Sequence, residues 1–325
     1  MSMVYGRKGW IMALLLLALA GCAVQPLPAP EPLSAPSAPA AAPTVPAQAP
    51  AKTVSQPRVA IVVSMDTPAY TDVAAQLEHR LGKRATRYLL DGTTRVTLER
   101  SAPEQIVAIG LEAALLAKAM ALRDTTVVFC QVFNHVEHGL VAPQQHGVAV
   151  FPSFHETFAT WRALAPALRE VLVFTGPGFE RVLTHAAAAA SQHGILLTHR
   201  SVSSDKEFLY QYKRMSEQAD GLWLLPDNRI LSRATIQEIM SFSLRNGKQV
   251  AVFSEQLLRL GGLFSAISSP AEIAAKVVQR LDASDSRSDD AGLLFLEQAV
   301  VRINPVIAQR LHLTIPEPLL SHVAE

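Results

Sequence analysis

An α/β protein of two doubly wound parallel-sheet lobes joined by a hinge is the fold this sequence predicts, and three observations carry that expectation. Beyond Pro57, short β-branched runs alternate with helical patterns. The runs are apolar at consecutive positions, as strands are when helices cover both faces of a parallel sheet. The alternation also restarts near residue 153, and the whole series is too long for one compact sheet.

Element by element, the first lobe opens with the strand Val59-Ala60-Ile61-Val62-Val63, a helix near 71–81 and the strand Arg87-Tyr88-Leu89-Leu90. Ile106-Val107-Ala108-Ile109 then leads into a helix over 111–122, followed by strands over 126–129 and 147–151. The second lobe repeats the order: a helix near 154–168, the strand Val171-Leu172-Val173-Phe174, a helix near 179–193 and a strand over 195–199. A helix near 206–218, a strand over 221–225, a helix near 233–245 and Val250-Ala251-Val252-Phe253 complete it. The expected division is 57–152 with 269–300 for the N-terminal lobe and 153–268 with 301–325 for the C-terminal lobe. Three crossings are expected near Phe151 to Ser153, Gly261 to Ser268 and Val301 to Asn304.

Ahead of the lobes stands an export signal. Arg7 and Lys8 precede an apolar run from Trp10 to Ala20, and small residues lead up to Cys22, the order of a secretory signal peptide over 1–21. The run is shorter than the roughly 18 residues read as a spanning helix. Leu19-Ala20-Gly21-Cys22 resembles the lipobox of bacterial lipoproteins, which implies a lipid (diacylglyceryl, with palmitate-type chains) on Cys22 and a periplasmic domain anchored to the membrane. Ala23, where Asp commonly retains lipoproteins at the inner membrane, points to the outer membrane. Residues 22–56 alternate Pro, Ala, Ser and Val with almost no charge. They read as a disordered linker that extends at ~3.1 Å per residue, on the order of 100 Å if fully stretched.

Composition excludes several classes. Net charge is +1 with no basic tract, so nucleic acid is not an expected partner. After cleavage Cys130 is the one remaining thiol, and its apolar surroundings read as a buried structural cysteine. His135, His138 and His146 superficially suggest a metal. No cysteine joins them and Gly139 ends the segment, so surface histidines are the default and neither metal nor cofactor is expected. His155-Glu156 lacks the second histidine of a zincin, Gly176-Pro177-Gly178 lacks the serine of a nucleophile elbow, and no phosphate-binding loop occurs. No catalytic residue is assigned, and the chain is not read as an enzyme.

The string from Ile106 to Leu140 resembles ABC-transporter substrate-binding proteins of the tryptophan/tyrosine-binding type, with Gly110 to Ala114 opening an alanine-rich helix and Gly139-Leu140 closing the segment. Leu224-Leu225-Pro226-Asp227-Asn228 is similar to that family's Leu-Pro-x-Asp segment, and Gly261-Gly262-Leu263-Phe264-Ser265 to its Gly-Ala-Leu-x-Ser crossing. Arg302-Ile303-Asn304, Ala308 to Leu311, Ile315-Pro316 and Leu319-Leu320 resemble its ending. The likeness spans about 57–323 and implies a type I periplasmic-binding fold, a small-molecule ligand such as an amino acid, and an ABC permease as partner. Asn134-His135 stands where the family often has Asp-Pro, and Glu112 where a neutral residue is common.

Ligands of such sheets bind at the loops following the strands, where helix N-termini gather. An α-amino acid needs a carboxylate for its ammonium, neutral donors for its own carboxylate and apolar surface for its side chain. Glu112, Asp227 and Glu255 are the candidate carboxylates. Ser64, Thr67, Gln131, Asn134, Asn228 and Ser254 are the candidate donors, with Gly110, Leu111 and Pro226 on the same loops. Tyr70, Phe133 and Phe174 are the candidate pocket walls. Asp227 is the favoured ammonium partner, against the alternative that it caps the helix that follows. Glu112 is explained equally by the helix dipole, and Tyr70 either covers the cleft or shields the hinge. The expected role is a solute-binding receptor whose lobes close on a ligand. The alternative is an envelope lipoprotein that uses the fold as an interaction or sensing module, its partner loop being the polar stretch from Asn134 to Gln145.

Overall fold

The computed structural model describes residues 58–120, 125–142, 145–283 and 292–324. The expected signal peptide, the lipidated Cys22 and the linker lie outside the described residues, as do two residues of the polar loop, 143 and 144.

The chain runs β1 (Val59–Val63), α1 (Pro68–Leu81), β2 (Ala85–Leu89), α2 (Thr94–Ser101), β3 (Gln105–Ile109), α3 (Leu111–Met120), β4 (Thr126–Cys130) and β5 (Gln145–Val148). It continues α4 (Phe154–Leu164), β6 (Glu170–Thr175), α5 (Glu180–Gln192), β7 (Leu196–Ser201), α6 (Asp205–Met215), β8 (Gly221–Trp223), α7 (Arg233–Arg245), β9 (Gln249–Val252), α8 (Glu255–Arg259) and β10 (Phe264–Ile267). The remainder is α9 (Pro270–Asp282), β11 (Leu293–Leu294), β12 (Val300–Ile303) and α10 (Pro305–Arg310). Two six-stranded sheets result, ordered β11-β5-β4-β3-β1-β2 and β12-β10-β9-β8-β6-β7. All pairings are parallel except that of β12 with β10.

Period-two alternation explains why these strands sit at the centre. Val59, Ile61 and Val63 pack into one apolar cluster, while Ala60 and Val62 pack into another on the opposite face. In the second sheet Val171 and Val173 face one cluster, and Leu172 and Phe174 the other. A strand buried on both faces carries apolar residues at every position, which is why these runs stand out in the sequence.

The chain passes between the sheets in three neighbouring segments. The first, after β5, holds Phe151 and ends at Ser153, whose hydroxyl caps α4 by accepting from the Glu156 amide at 3.3 Å. The second is short, because Phe264–Ile267 is a strand of the second sheet; Ser268 donates to the Val150 carbonyl at 2.5 Å. The third spans 295–299, earlier than expected, since Val300–Ile303 already pairs with β10. Ala149 donates to the Leu294 carbonyl at 2.7 Å and Ser153 to that of Gln298 at 2.9 Å, tying the first crossing to the third.

The expected series ends at Phe253, so α8, α9 and β11 are additions to it, and three earlier elements also differ from the expected reading. Helix α1 begins at Pro68, which suits the first helical turn because no partner for its missing N–H is needed there. Helix α2 is short and polar, with only Thr94 and Leu98 buried, so its apolar period is too faint to see in the sequence. The strand expected over 147–151 ends at Val148, where the first crossing begins.

Candidate functional site

In each sheet the strand order reverses beside its first strand: β1 has β2 on one side and β3 on the other, and β6 has β7 and β8. Such switch points leave a crevice at the C-terminal strand ends. A cavity of about 390 Å³ occupies that position, lined from the first sheet's loops by Leu111, Phe133 and Asn134. Phe179, the loop Pro226 to Arg229, Leu231, Ile236 and Phe253 line it from the second. Its wall is therefore mostly apolar, with the polar groups concentrated in one loop.

That loop is organised around Asp227, which is 5% exposed. Its carboxylate accepts from Arg229 Nε at 2.8 Å and Nη2 at 2.9 Å, from the Arg229 amide at 3.1 Å and from the Gly176 amide at 2.8 Å. Burial alone would raise the Asp227 carboxyl. The Arg229 side chain, the Gly176 and Arg229 amides and the guanidinium charge outweigh it and hold the group below the usual carboxylate range. Arg229 is correspondingly raised, first through its hydrogen bonds to Asp227, then through the charges of Asp227, Glu137 and Glu180.

Arg229 also crosses the cleft. Its Nη1 lies 3.3 Å from Glu137 Oε2, a residue of the loop after β4 in the first sheet. Its guanidinium carbon sits 5.7 Å from the centre of the Phe179 ring. Gly176 makes the approach possible, since a Cβ there would come within 2.9 Å of the guanidinium.

Behind the cavity an aromatic chain joins the lobes. Phe133 meets Phe151 of the first crossing edge-on at 5.9 Å, and Phe151 meets Phe179 at 6.0 Å. Phe151 also contacts Phe154, which touches Trp223 and Phe295 of the third crossing. Cavity wall and hinge are thus one packed unit.

On the first-sheet side Leu111, Phe133 and Asn134 line the cavity, and of the other six candidates Ser64 and Gln131 serve the backbone. Ser64 is buried, and its hydroxyl accepts from the Ala113 amide at 3.0 Å at the start of α3. Thr67 is the N-cap of α1, with no capping bond from its side chain. Gln131 takes a positive φ of 58° and donates to the Ala69 carbonyl at 3.2 Å. Gly110 has φ of 92°, and a Cβ there would meet Ser64 Oγ at 2.6 Å and Tyr70 at 2.9 Å. Tyr70 is half-buried; desolvation, then the neighbouring Glu112 and Cys130, raise its hydroxyl. Glu112 is exposed on the first turn of α3.

Thus Leu111, Phe133, Asn134, Pro226, Asp227 and Asn228 share the cavity, while three candidates of the second sheet do not line it. Phe174 is buried against Phe208 and Tyr212 because the strand alternation turns it into the second-sheet core. Ser254 caps α8 by accepting from the Leu257 amide at 3.3 Å. Glu255 lies 3.8 Å from Arg302 on a second cavity, of about 610 Å³, that shares no lining residue with the first. Asp227 does not cap α7 either; Ser232 does, accepting from the Thr235 amide at 3.2 Å. The carboxylate of Asp227, the expected ammonium partner, is already held by Arg229 and the Gly176 amide. Sequence reading missed Arg229, Phe179, Phe253 and Glu137. Arg229 adjoins the favoured Asp227-Asn228 pair, and Phe179 and Phe253 each stand one residue beyond a loop boundary.

Cys130 is buried, its thiol pushed up to about 12 by desolvation. His135 is buried against Phe129, and burial lowers it first of all. Among the described residues no group of three or more His, Cys, Asp or Glu side chains is placed to hold a metal, and no helix is long and apolar enough to cross a membrane.

Two sheets with reversing strand order, joined by three crossings, define a two-lobed binding fold of the type I periplasmic kind. Solved structures share it. The chain is similar to a ligand-free, open substrate-binding protein with adhesive properties from Clostridium difficile (TM-score 0.60, 16% identity, 82% of this chain and 98% of that one). It is also similar to an ABC domain in complex with L-Trp from Streptococcus pneumonia (TM-score 0.56, 18% identity, 82% and 99%). A conserved domain protein from Vibrio cholerae is a third (TM-score 0.54, 17% identity, 82% and 98%). No protein-family model and no curated protein matches the chain by sequence.

Proposed function

We propose that this chain is a solute-binding receptor, the substrate-binding component of an ABC-type uptake system, held to the periplasmic face of a membrane by lipid on Cys22. The observation that carries the reading is the cavity between the strand-end loops of both sheets, lined by apolar side chains and by the Asp227–Arg229 pair. Its volume of about 390 Å³ falls in the range of small-molecule sites. The bound L-Trp in one similar structure supports a ligand of amino-acid size. Ligand-holding residues in this reading are Leu111, Phe133, Asn134, Phe179, Asn228, Arg229 and Phe253, with lobe closure about the three crossings presenting the occupied form to a permease.

The reading assigns the chain no chemistry. A thermal-shift screen of amino acids, organic acids, nucleosides and sugars tests it. A ligand at a hundred times its Kd raises stability by about 2.7 kcal/mol. Leu231→Trp, which fills the cavity, should abolish that rise. A screen without any stabilising solute counts against the receptor role and favours a protein-binding module, whose contact surface would include the exposed Val136 and Val141 of the loop after β4.

A further inference from the structure

We infer that Arg229 anchors the carboxylate of an apolar organic acid, and that Glu137 occupies the anchor's outer edge as a built-in competitor which the ligand displaces. The inference rests on the receptor reading and narrows its substrate class.

The geometry divides the guanidinium into two edges. The edge formed by Nε and Nη2 faces Asp227 with two short hydrogen bonds, and this half of the network is buried, the Asp227 side chain being 2% exposed. The Nη1 protons and the outer proton of Nη2 remain for a second carboxylate, in the fork geometry that arginine offers to an acid. Glu137 takes only part of that edge, with one contact at 3.3 Å from a side chain that is 53% exposed. A single exposed contact of this kind is weak and readily exchanged.

Charge supports the same ligand class. Asp227 cancels Arg229, so Glu137, which also accepts from Asn134 Nδ2 at 3.5 Å, is the surplus carboxylate on the guanidinium, and its exchange for a ligand carboxylate leaves the local charge unchanged. Glu180 also faces Arg229, but its own carboxylate is tied to the Gly178 amide at 3.2 Å. An ammonium ligand in the same position would meet the guanidinium, whose one buried counter-charge is already bound. The rest of the wall, from Leu111, Phe133, Phe179, Leu231, Ile236 and Phe253, asks for an apolar body. Because Glu137 reaches over from the other lobe, the exchange also releases an inter-lobe tie, so the carboxylate couples ligand entry to lobe movement.

The test is isothermal titration of the full chain in detergent. The ligands are 3-phenylpropionate, indole-3-propionate and 4-methylpentanoate, each beside its primary amide and the amine of equal length, together with any solute that stabilises the protein in the thermal screen. Carboxylates should bind best, and Arg229→Gln should weaken them roughly tenfold or more. Glu137→Gln, on an exposed loop, should tighten them about two- to fivefold while leaving the amides unchanged. Arg229→Lys keeps the charge without the fork and should recover only part of the loss, which separates anchoring from a folding defect. Preference for the amines or amides, carboxylate affinity unchanged in Arg229→Gln, or a stabilising solute that carries no carboxylate each overturns the inference and leaves the receptor reading intact. Absence of any stabilising solute instead sinks the receptor reading itself.

Discussion

On the first-sheet side of the cleft, two polar side chains at the strand ends turn toward the backbone: Ser64 holds the start of α3 and Gln131 holds α1 through Ala69. On the second-sheet side Asp227 and Arg229 bring opposite charges to the cavity surface, braced by the Gly176 amide. Both sides come from the same topology, loops after parallel strands beside a switch point. The difference shows that position at a strand end does not by itself bring a polar side chain to the cavity; Ser64 and Gln131 are spent on backbone partners instead.

The largest test of this contrast is Asp227→Ala. It strips a counter-charge from Arg229 and an acceptor from the buried Gly176 amide, and should cost about 3 kcal/mol of stability, roughly 6–12 °C in Tm, with loss of ligand binding. Gly110→Ala probes the opposite side. Its φ of 92° and the close approach of Ser64 and Tyr70 should cost about 2 kcal/mol. Gly176→Ala meets instead the Asp227-bound edge of the Arg229 guanidinium, at the end of a side chain that can shift, so calorimetry should show about 1 kcal/mol of destabilisation alongside clearly weakened binding. Equal stability losses at the two glycines would break the comparison.

Ser64→Ala removes the cap on α3 and should cost about 1 kcal/mol in a denaturant titration, with ligand affinity little changed. The smallest effect is in acid. Because the Asp227 carboxyl is held below its ordinary value, its contribution to stability is complete above that value and disappears as pH falls through the lowered one. The wild-type Tm should therefore fall more steeply than that of Asp227→Asn as the pH is lowered below about 4. Parallel curves would show that the pair does not distinguish folded from unfolded chain.

Much of the fold was legible because its central strands are buried on both faces, so β1, β3 and β6 appear as uninterrupted apolar runs. Edge elements were harder. Helix α2 buries only two residues and β11 has only two in all, too few for a period to show. At the site, loop positions were legible and side-chain directions were not. Phe174 looked like a pocket wall, but its place in the strand alternation buries it against Phe208. Arg229 is not legible because its placement depends on a partner two residues back and on Glu137, ninety-two positions earlier in the chain.

A crystal structure of the chain with the tightest ligand from the screen tests the central claim most directly. The expected result is ligand density between Phe133, Phe179 and Arg229, with its carboxylate on the guanidinium edge and the Glu137 contact broken. Density in the separate cavity lined by Arg259 and Arg302, with the Glu137–Arg229 contact intact, would contradict the account.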